Sequence, residues 1–366
     1  MQRDNATHFV IGTRGSALAL AQTRMMQAQL AALQPHATFE LRVIKTTGDA
    51  LSEKNLAPSP LGGDGKGVFT AELETALDAG DIDIAVHSLK DLPTEMHPRF
   101  VLGAVPERED CRDTLVFSSR ALASVRTSAA DSQPRSLFDL PSGAIVATGS
   151  MRRQKQLQRW RPDLRFADIR GNIDTRLRKL RESGTWSATV LAQAGLNRLG
   201  PDLQDVILVP LAPSLVAPAP GQGALAIQVR RGDDRTLAVV APLHHPPTHA
   251  QVVAERAFLQ GLGGGCTWPV GAHAVVEEER TPQAQGTNPT ECDPSDLATI
   301  NSAKGIRPAS DTSSIVSVRL SLHGVYWRDA EPEPRMGRVS AAIQPGATHA
   351  DEAAALGALL AQRLQP

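Results

Sequence analysis

The feature that most constrains the fold is the alternation of strand-like and helix-like segments over the first 230 residues of the chain. Short apolar runs such as 82–88 have the composition of strands buried on both faces, whereas 16–33 has the length and spacing of a helix. This alternation is typical of parallel sheets covered by helices and predicts an α/β fold with doubly wound units. The predicted strands are 8–13, 39–47, 82–88, 144–147, 164–169, 188–192 and 224–230, and the predicted helices are 16–33, 68–79, 151–161 and 173–181.

Two breaks in the pattern divide this part of the chain into lobes. Residues 120–135 are rich in Ser and Ala, which predicts a surface loop. Residues 209–223 hold four prolines and, because proline cannot continue a helix, they predict an extended connection or hinge. We therefore assign residues 1–107 together with 222–242 to a first domain and 108–215 to a second.

The last third of the chain, residues 243–366, has a different pattern and predicts a small α+β third domain. Apolar and polar residues alternate over 316–323, as in a strand with one buried face, and 349–364 carries an apolar stripe at helical spacing. Between them, 277–314 is polar and without periodicity, which predicts a flexible insertion.

Composition narrows the class of protein. A chain of 366 residues is too long for one core, and a formal net charge of −1 implies neither a strongly basic nor a strongly acidic partner. The first residues lack an apolar signal sequence, and no apolar run approaches the roughly 20 residues that span a bilayer. Cys111, Cys266 and Cys292 lie too far apart to indicate a disulfide framework or a metal site. We expect a cytoplasmic, reduced, multi-domain protein that needs no membrane and no metal.

Four short polar segments follow predicted strands, and most of them precede a helix: 13–16, 88–91, 150–153 and 170–172. In open α/β sheets, ligands bind beside the carboxyl ends of the strands. The four segments are therefore predicted to face one crevice, which we place between the two lobes.

The segment 151–181 is strongly basic, with eleven Lys and Arg against three Asp, a net charge of +8. Arg152 and Arg153 follow Ser150, a predicted helix cap, although a helix N-terminus disfavours cations. A bound anion would resolve this conflict, so we predict an anion site that includes Arg152, Arg153, Arg170 and Arg176. Six other basic residues are interpreted as a solvated face: Arg159, Arg161, Arg165, Arg178, Lys179 and Arg181. Trp160 is the one Trp or Tyr in this segment, which disfavours nucleic acid as the ligand.

Three further features have both a functional and an ordinary reading. Asp91 is either a turn cap or a fixed anion that stabilises a cation in the crevice. The glycine-rich segment 62–67 lacks the spacing of a phosphate-binding loop and is either a mobile active-site loop or a surface turn. Cys266 follows three glycines and is either an inert core thiol or an attachment point for a covalent group.

Taken in order, these motifs resemble those of one family, the porphobilinogen deaminases. The resemblance covers about residues 8–275. Its motifs in this chain are Ile11–Ser16, Ala85–Pro93, Thr148–Gln154, Arg170–Asn172 with Thr175–Leu177, Ala194–Gly200, Pro220–Ala224, Glu255–Ala257 and Gly264–Gly271.

The resemblance implies lobes like those of type II periplasmic binding proteins and a dipyrromethane cofactor joined to Cys266 by a thioether. It also implies a monomeric transferase of haem biosynthesis. Four porphobilinogen molecules would each lose ammonia, add to the cofactor through an azafulvene-type cation and leave as hydroxymethylbilane. Asp91 would stabilise the cation. Arginines would bind the acetate and propionate groups: Arg14, Arg152, Arg153, Arg170 and Arg176. Hydrogen-bonding residues would orient the chain: Ser16, Gln22, Ser88, Lys90, Thr148, Ser150, Asn172 and Gln222. Lys66 and Phe69 would belong to a mobile loop.

The chain departs from the family pattern at 120–135 and 277–314, which are longer than usual, and at 58–61, which lacks a basic residue. Two alternatives stay open. One is a non-enzymatic two-lobed binder of carboxylated small molecules, in which the Cys266 loop has no purpose. The other is an enzyme that uses Lys90 as a Schiff-base nucleophile.

Overall fold

The computed structural model describes residues 7–46, 70–120, 136–263, 268–279, 317–327, 331, 333–343 and 350–365. Its strands are β1 (His8–Arg14), β2 (Thr38–Ile44), β3 (Ile84–Ser88), β4 (Phe100–Ala104), β5 (Asp113–Ser118), β6 (Ile145–Ala147), β7 (Arg165–Ala167), β8 (Trp186–Ala192), β9 (Val206–Pro210), β10 (Leu225–Arg230), β11 (Val270–Glu279), β12 (Ser317–Tyr326) and β13 (Arg335–Ile343). Its α-helices are α1 (Ala17–Leu33), α2 (Ala71–Ala79), α3 (Met151–Trp160), α4 (Ile173–Glu182), α5 (Gln193–Leu199), α6 (Asp234–Val240), α7 (Pro246–Gly261) and α8 (Ala350–Leu364).

The first lobe is a five-stranded sheet in the order β2-β1-β3-β10-β4, in which β10 runs antiparallel to its neighbours. Successive residues of β1 enter different cores: Phe9 and Ile11 pack with α1, whereas Val10 packs with α2. Because side chains alternate across a strand, the nearly continuous apolar run of β1 requires helices on both faces of the sheet.

The second lobe repeats this arrangement in the order β7-β6-β8-β5-β9, with β5 antiparallel to both neighbours. Leu115 and Phe117 of β5 pack with Leu157 of α3 on one face, and Val116 packs with α4 and α5 on the other. Two sheet-and-helix lobes and the small third domain confirm the predicted fold class.

The two lobes are joined by two crossing segments, because β10, the antiparallel strand of the first lobe, comes after all strands of the second lobe in the chain. Residues 105–112 connect β4 of the first lobe to β5 of the second, and 211–224 return from β9 to β10. The prolines of 209–223 therefore lie where a connection was predicted. Val209 and Pro210 nevertheless complete β9, an edge strand, where proline is tolerated.

The third domain is an antiparallel sheet, β11-β12-β13, covered by α7 and α8. Phe258 of α7 and Leu360 of α8 are fully buried against Leu320 and Leu322 of β12. Strand β11 continues to Glu279, which pairs with Ser317, so residues 277–279 are strand and not part of a flexible insertion as predicted. Residues 280–316 lie outside the described part of the chain.

Most of the predicted elements are found within a few residues of their expected ends. Several elements were not predicted: strands β4, β5, β9, β11 and β13 and helices α5, α6 and α7. The proposed domain boundaries stay a prediction. Lys66, Phe69, Cys266 and residues 121–135 of the predicted loop 120–135 lie outside the described residues.

Candidate active site

The carboxyl ends of four strands carry the predicted site residues. Arg14 ends β1, and Ser88 ends β3 and leads into a 3-10 turn, Leu89–Asp91. In the second lobe, Thr148 and Ser150 follow β6, and Arg170 and Asn172 follow β7. The strand ends that were predicted to face one crevice therefore belong to both lobes, two in each.

The site residues of the first lobe form one wall of the candidate site, and side-chain hydrogen bonds hold part of it in place. The Gln22 amide and the Ser88 hydroxyl exchange hydrogen bonds of 3.1 and 3.2 Å, and Ser16 caps α1 by accepting a bond from the Ala19 N–H. Asp91 is exposed, beside the half-buried Lys90. Burial lowers the pKa of Lys90 to about 8, although the charge of Asp91 opposes the shift.

The wall formed by the second lobe contains a residue that was missed from the sequence, Asp113. Arg152 and Arg153 are buried, and Asp113, at the start of β5, is fully buried between them. Arg152 Nη1 donates to Asp113 Oδ2 at 2.6 Å, and Arg153 Nη2 donates to Oδ1 at 2.8 Å. Despite burial, the two guanidinium groups hold the pKa of Asp113 well below its ordinary value.

This internal carboxylate revises the argument made for Arg152 and Arg153. The cations at the start of α3 do have an anion, but it is supplied by the chain and not only by a ligand. Arg153 also donates from Nη1 to the Val190 carbonyl at 2.8 Å. A carboxylate 39 residues upstream was not associated with these arginines because a pairing at that separation depends on the tertiary fold.

Arg170 and Arg176 are less completely neutralised. Arg170 Nε donates to the exposed Asp168 at 2.9 Å, and Arg176 Nε donates to the Gly171 carbonyl at 2.7 Å. Burial, Arg153 and Arg170 lower the pKa of Arg176 to about 10, against the opposing charge of Asp168. Arg176 therefore lies in a positive field that a ligand carboxylate would relieve.

Three of the six residues that were predicted to form a solvated face have partners nearby in the sequence. Arg161 pairs with Asp163, Arg178 pairs with Glu182, and Lys179 donates to the Arg170 carbonyl.

Four hydrogen-bonding candidates lie at helix caps or in the buried interior. Ser150 occupies the cap position of α3, but its side chain makes no cap hydrogen bond. Asn172 caps α4 by accepting a 2.8 Å bond from the Thr175 N–H, which commits its carbonyl oxygen. Gln222 is buried in the second crossing segment. Thr148 is also buried, and its hydroxyl oxygen accepts a hydrogen bond from the Ser150 N–H.

The two walls meet at Lys90. Lys90 Nζ donates to Gln222 Oε1 at 3.3 Å, and Gln222 Nε2 donates to Asp113 Oδ1 at 2.9 Å. The charges of Asp113, Arg152 and Arg153 all influence the pKa of Lys90, so this first-lobe amine lies within electrostatic range of the second-lobe arginines. Among the described residues, no group of three or more His, Cys, Asp or Glu could hold a metal ion. In the same residues, no helix is long and apolar enough to cross a membrane.

The fold and the site residues define a two-lobed α/β protein with arginines at its strand ends and a third, α+β domain. Residues 9–238 match the family description "Porphobilinogen deaminase, dipyromethane cofactor binding domain", and residues 249–282 match "Porphobilinogen deaminase, C-terminal domain". The chain belongs to the porphobilinogen deaminase family, transferases of tetrapyrrole synthesis. Membership disfavours the non-enzymatic binder.

Individual relatives agree with this assignment. The chain is 48% identical to a porphobilinogen deaminase of Thermus thermophilus over 76% of this chain and 83% of the relative. It is 47% identical to a porphobilinogen deaminase of Roseiflexus castenholzii, over 74% of this chain and 82% of the relative. It is 46% identical to one of Shouchella clausii, over 74% of this chain and 81% of the relative. Among solved structures, it is similar to the methionine binding protein MetQ, with 13% identity, a TM-score of 0.38 and coverage of 69% and 94%.

Proposed function

We propose that this chain acts as a hydroxymethylbilane synthase. It would join four porphobilinogen molecules head to tail on a dipyrromethane primer held by Cys266, with release of ammonia. The observation that supports this proposal best is the crevice in which Lys90 and Asp91 of one lobe lie near the arginines of the other. We further propose that the enzyme works as a cytoplasmic monomer and binds no nucleic acid.

The charges of the crevice fit a primer and substrate that carry acetate and propionate groups. Arg176 is half-buried in a positive field, Arg14 ends β1 of the first lobe, and Arg170 follows β7 of the second. Arginine binds planar carboxylates through two parallel hydrogen bonds, so these three residues would hold the carboxylates. When bound, the primer supplies a nucleophilic pyrrole carbon at its free end.

Asp91 would act on the reacting pyrrole. Its exposed carboxylate lies on the turn after β3, where it can accept a pyrrole N–H and stabilise the positive charge that develops as ammonia leaves. Lys90, Ser88 and Ser16 would donate hydrogen bonds to the carboxylates from the same wall. Lys66 and Phe69 would complete a loop at the crevice.

Arg152 and Arg153 would contribute differently from the other arginines. Together with Asp113 they carry a net charge of +1, so they attract an anion while keeping their own geometry. Among the described contacts, Arg152 uses only Nη1 for its hydrogen bonds to Asp113 and the Ala217 carbonyl. Its other guanidinium nitrogens would donate to a ligand.

The intact mass of the denatured protein tests the attachment site. Wild type should exceed its polypeptide mass by two linked pyrrole units, and Cys266→Ser should not. Cys111→Ser provides the matched control and should keep the surplus. A bare wild-type mass that incubation with porphobilinogen does not change would refute the proposal.

The Lys90 alternative has one observation in its favour, because a pKa of about 8 leaves part of the amine neutral near physiological pH. A Schiff base needs an aldehyde or ketone, which porphobilinogen lacks, so this alternative requires a carbonyl substrate such as a small keto acid. Borohydride reduction in the presence of such a substrate should leave a reduced adduct on Lys90 if the alternative holds, whereas turnover of porphobilinogen with no adduct supports the role of Asp91.

A further inference from the structure

Gln222 is held in a single orientation at the meeting point of the two lobes. Its side-chain NH2 group donates to the Cys111 carbonyl at 2.8 Å and to Asp113 Oδ1 at 2.9 Å, and its oxygen accepts from Lys90 Nζ at 3.3 Å. Rotating the amide by half a turn would place the NH2 group against the ammonium and the oxygen against two acceptors. The three partners therefore determine which way the amide points.

The backbone around Gln222 permits this close approach. Gly221 and Gly223 have φ angles of +75° and +88°, in the left-handed region that favours glycine. A Cβ on Gly221 would lie 2.7 Å from a Leu89 methyl group, and one on Gly223 would clash with the Glu109 carbonyl oxygen. Because these two positions lack a Cβ, the second crossing segment can pack closely against the first and against the turn that carries Lys90.

Asp113 continues the connection into the second lobe. It accepts hydrogen bonds from Arg152, Arg153 and Gln222, and its carboxylate is completely buried. A buried carboxylate with three donor side chains keeps its place because losing any one of them leaves a carboxylate oxygen short of a hydrogen bond where water cannot replace it. Lys90 is thereby linked to Arg152 and Arg153 through only two intervening side chains.

We propose that Gln222 and Asp113 form a positioning unit that holds Lys90 of the first lobe and Arg152 and Arg153 of the second at a fixed spacing. The unit lies on the segments where the lobes join, so lobe movement alters its contacts less than those at the outer ends of the crevice. Gln222 therefore acts through Lys90 and Asp113 and does not bind the substrate itself. This inference rests on the proposed function, because it assigns a role in positioning residues of that site.

Gln222→Met tests the unit, since methionine keeps the length of glutamine and removes its hydrogen bonds. The readout is the acetylation rate of Lys90 as a function of pH, followed by peptide mass spectrometry on the full chain. Loss of the acceptor should move the titration midpoint of Lys90 down by about one pH unit, because the hydrogen bond favours the charged amine. The value of kcat should fall about tenfold, with KM changed less than about twofold.

Gln228→Met is the matched control. Gln228 is equally buried, in β10, but its amide is bonded to Glu74 and lies near His87, away from Lys90 and Asp113. It should lower the melting temperature and leave the Lys90 midpoint in place. If Gln222→Met does not fold, Gln222→Asn replaces it, because the shorter amide cannot reach Lys90 and Asp113 together.

A second substitution, Asp113→Asn, completes a double-mutant cycle. If the unit exists, the shifts of the Lys90 midpoint caused by Gln222→Met and Asp113→Asn should be non-additive. Additive shifts, or an unchanged midpoint in Gln222→Met, would overturn the inference. The midpoint can be measured without turnover, so failure of the proposed function, seen as an inactive wild type, is distinguished from failure of the positioning unit.

Discussion

Arg108 and Glu255 form a buried ion pair in which both guanidinium Nη atoms donate to the two carboxylate oxygens at 2.9 Å. Arg108 belongs to the first crossing segment, and Glu255 lies on α7 of the third domain. Glu255 also accepts from the Gly221 N–H at 2.7 Å and from the Ala274 N–H at 2.8 Å. One carboxylate therefore ties both crossing segments to the helix and the strand that flank the Cys266 segment.

Removing this carboxylate should destabilise the protein strongly. Glu255→Ala leaves the Arg108 guanidinium buried without its anion, and we expect a loss of about 3–5 kcal/mol in the free energy of unfolding. Glu182→Ala, which removes the exposed pair with Arg178 on α4, should cost less than about 0.5 kcal/mol. Denaturant unfolding of both variants makes the comparison, and equal losses would show that Glu255 is not an anchor.

Asp91→Ala should retain the primer and lose turnover. Its carboxylate is exposed on the turn after β3, so the fold does not depend on it, and loss of a charge aimed at a developing cation costs about 100-fold or more in kcat. Intact mass and ammonia release measure the two properties separately. The control is Asp81→Ala, an exposed carboxylate just after α2, which should keep full turnover; wild-type rates in Asp91→Ala would contradict the role given to Asp91.

Arg176 and Arg153 should respond differently to the same substitution. Arg176→Gln removes a cation from a positive field, so we expect KM for porphobilinogen to rise about tenfold without loss of stability. Arg153→Gln takes a partner from buried Asp113 and should cost roughly 2–4 kcal/mol of stability. Arg178→Gln, on the exposed face of the same helix as Arg176, serves as the control for KM. A stability loss in Arg176→Gln as large as that in Arg153→Gln would show that both arginines are structural.

Stability should fall in mild acid through His87. Burial lowers the pKa of this imidazole from 6.5 to about 4; the contact with Gln228 opposes the shift, and the charge of Arg14 adds to it. The unfolded chain takes up the proton first, so stability is lost as pH falls from about 6.5 to about 4, by on the order of 3 kcal/mol.

Unfolding curves at several pH values measure this dependence. His87→Leu should flatten it in part, leaving the contribution of His249, whose pKa is also lowered to about 4, by burial and by His244. His36→Leu, at an exposed position, should keep the same dependence of stability on pH as the wild-type protein. An unchanged curve for His87→Leu would exclude His87 as its source.

The segment between β11 and β12 should be replaceable by a short turn. Glu279 pairs with Ser317 in the antiparallel register, so an Asn-Gly turn in place of 280–316 connects strand ends that already face each other. We expect the melting temperature and turnover to stay close to those of wild type. Deleting 277–314 instead removes three paired residues of β11 and should lower the melting temperature clearly. Loss of folding in the Asn-Gly variant would show that 280–316 contribute to the core.

The sequence by itself determined the alternation of strands and helices, the strand-end loops and the basic character of 151–181. These follow from side-chain periodicity and composition, which operate between residues a few positions apart. Short strands such as β4 and helices such as α7 were missed because their patterns are weak and their stability comes from packing against distant segments.

Only the tertiary structure decided which charged side chains are paired with other residues of the chain. Asp113 finds Arg152 and Arg153 at separations of 39 and 40 residues, and Gln222 reaches Asp113 across 109. The same basic residues could bind the carboxylate of a ligand or a carboxylate of the chain itself, and their composition does not distinguish the two. The choice depends on which side chains the crossing of the chain between the lobes buries together, because a buried charge must find its partner wherever the fold places one.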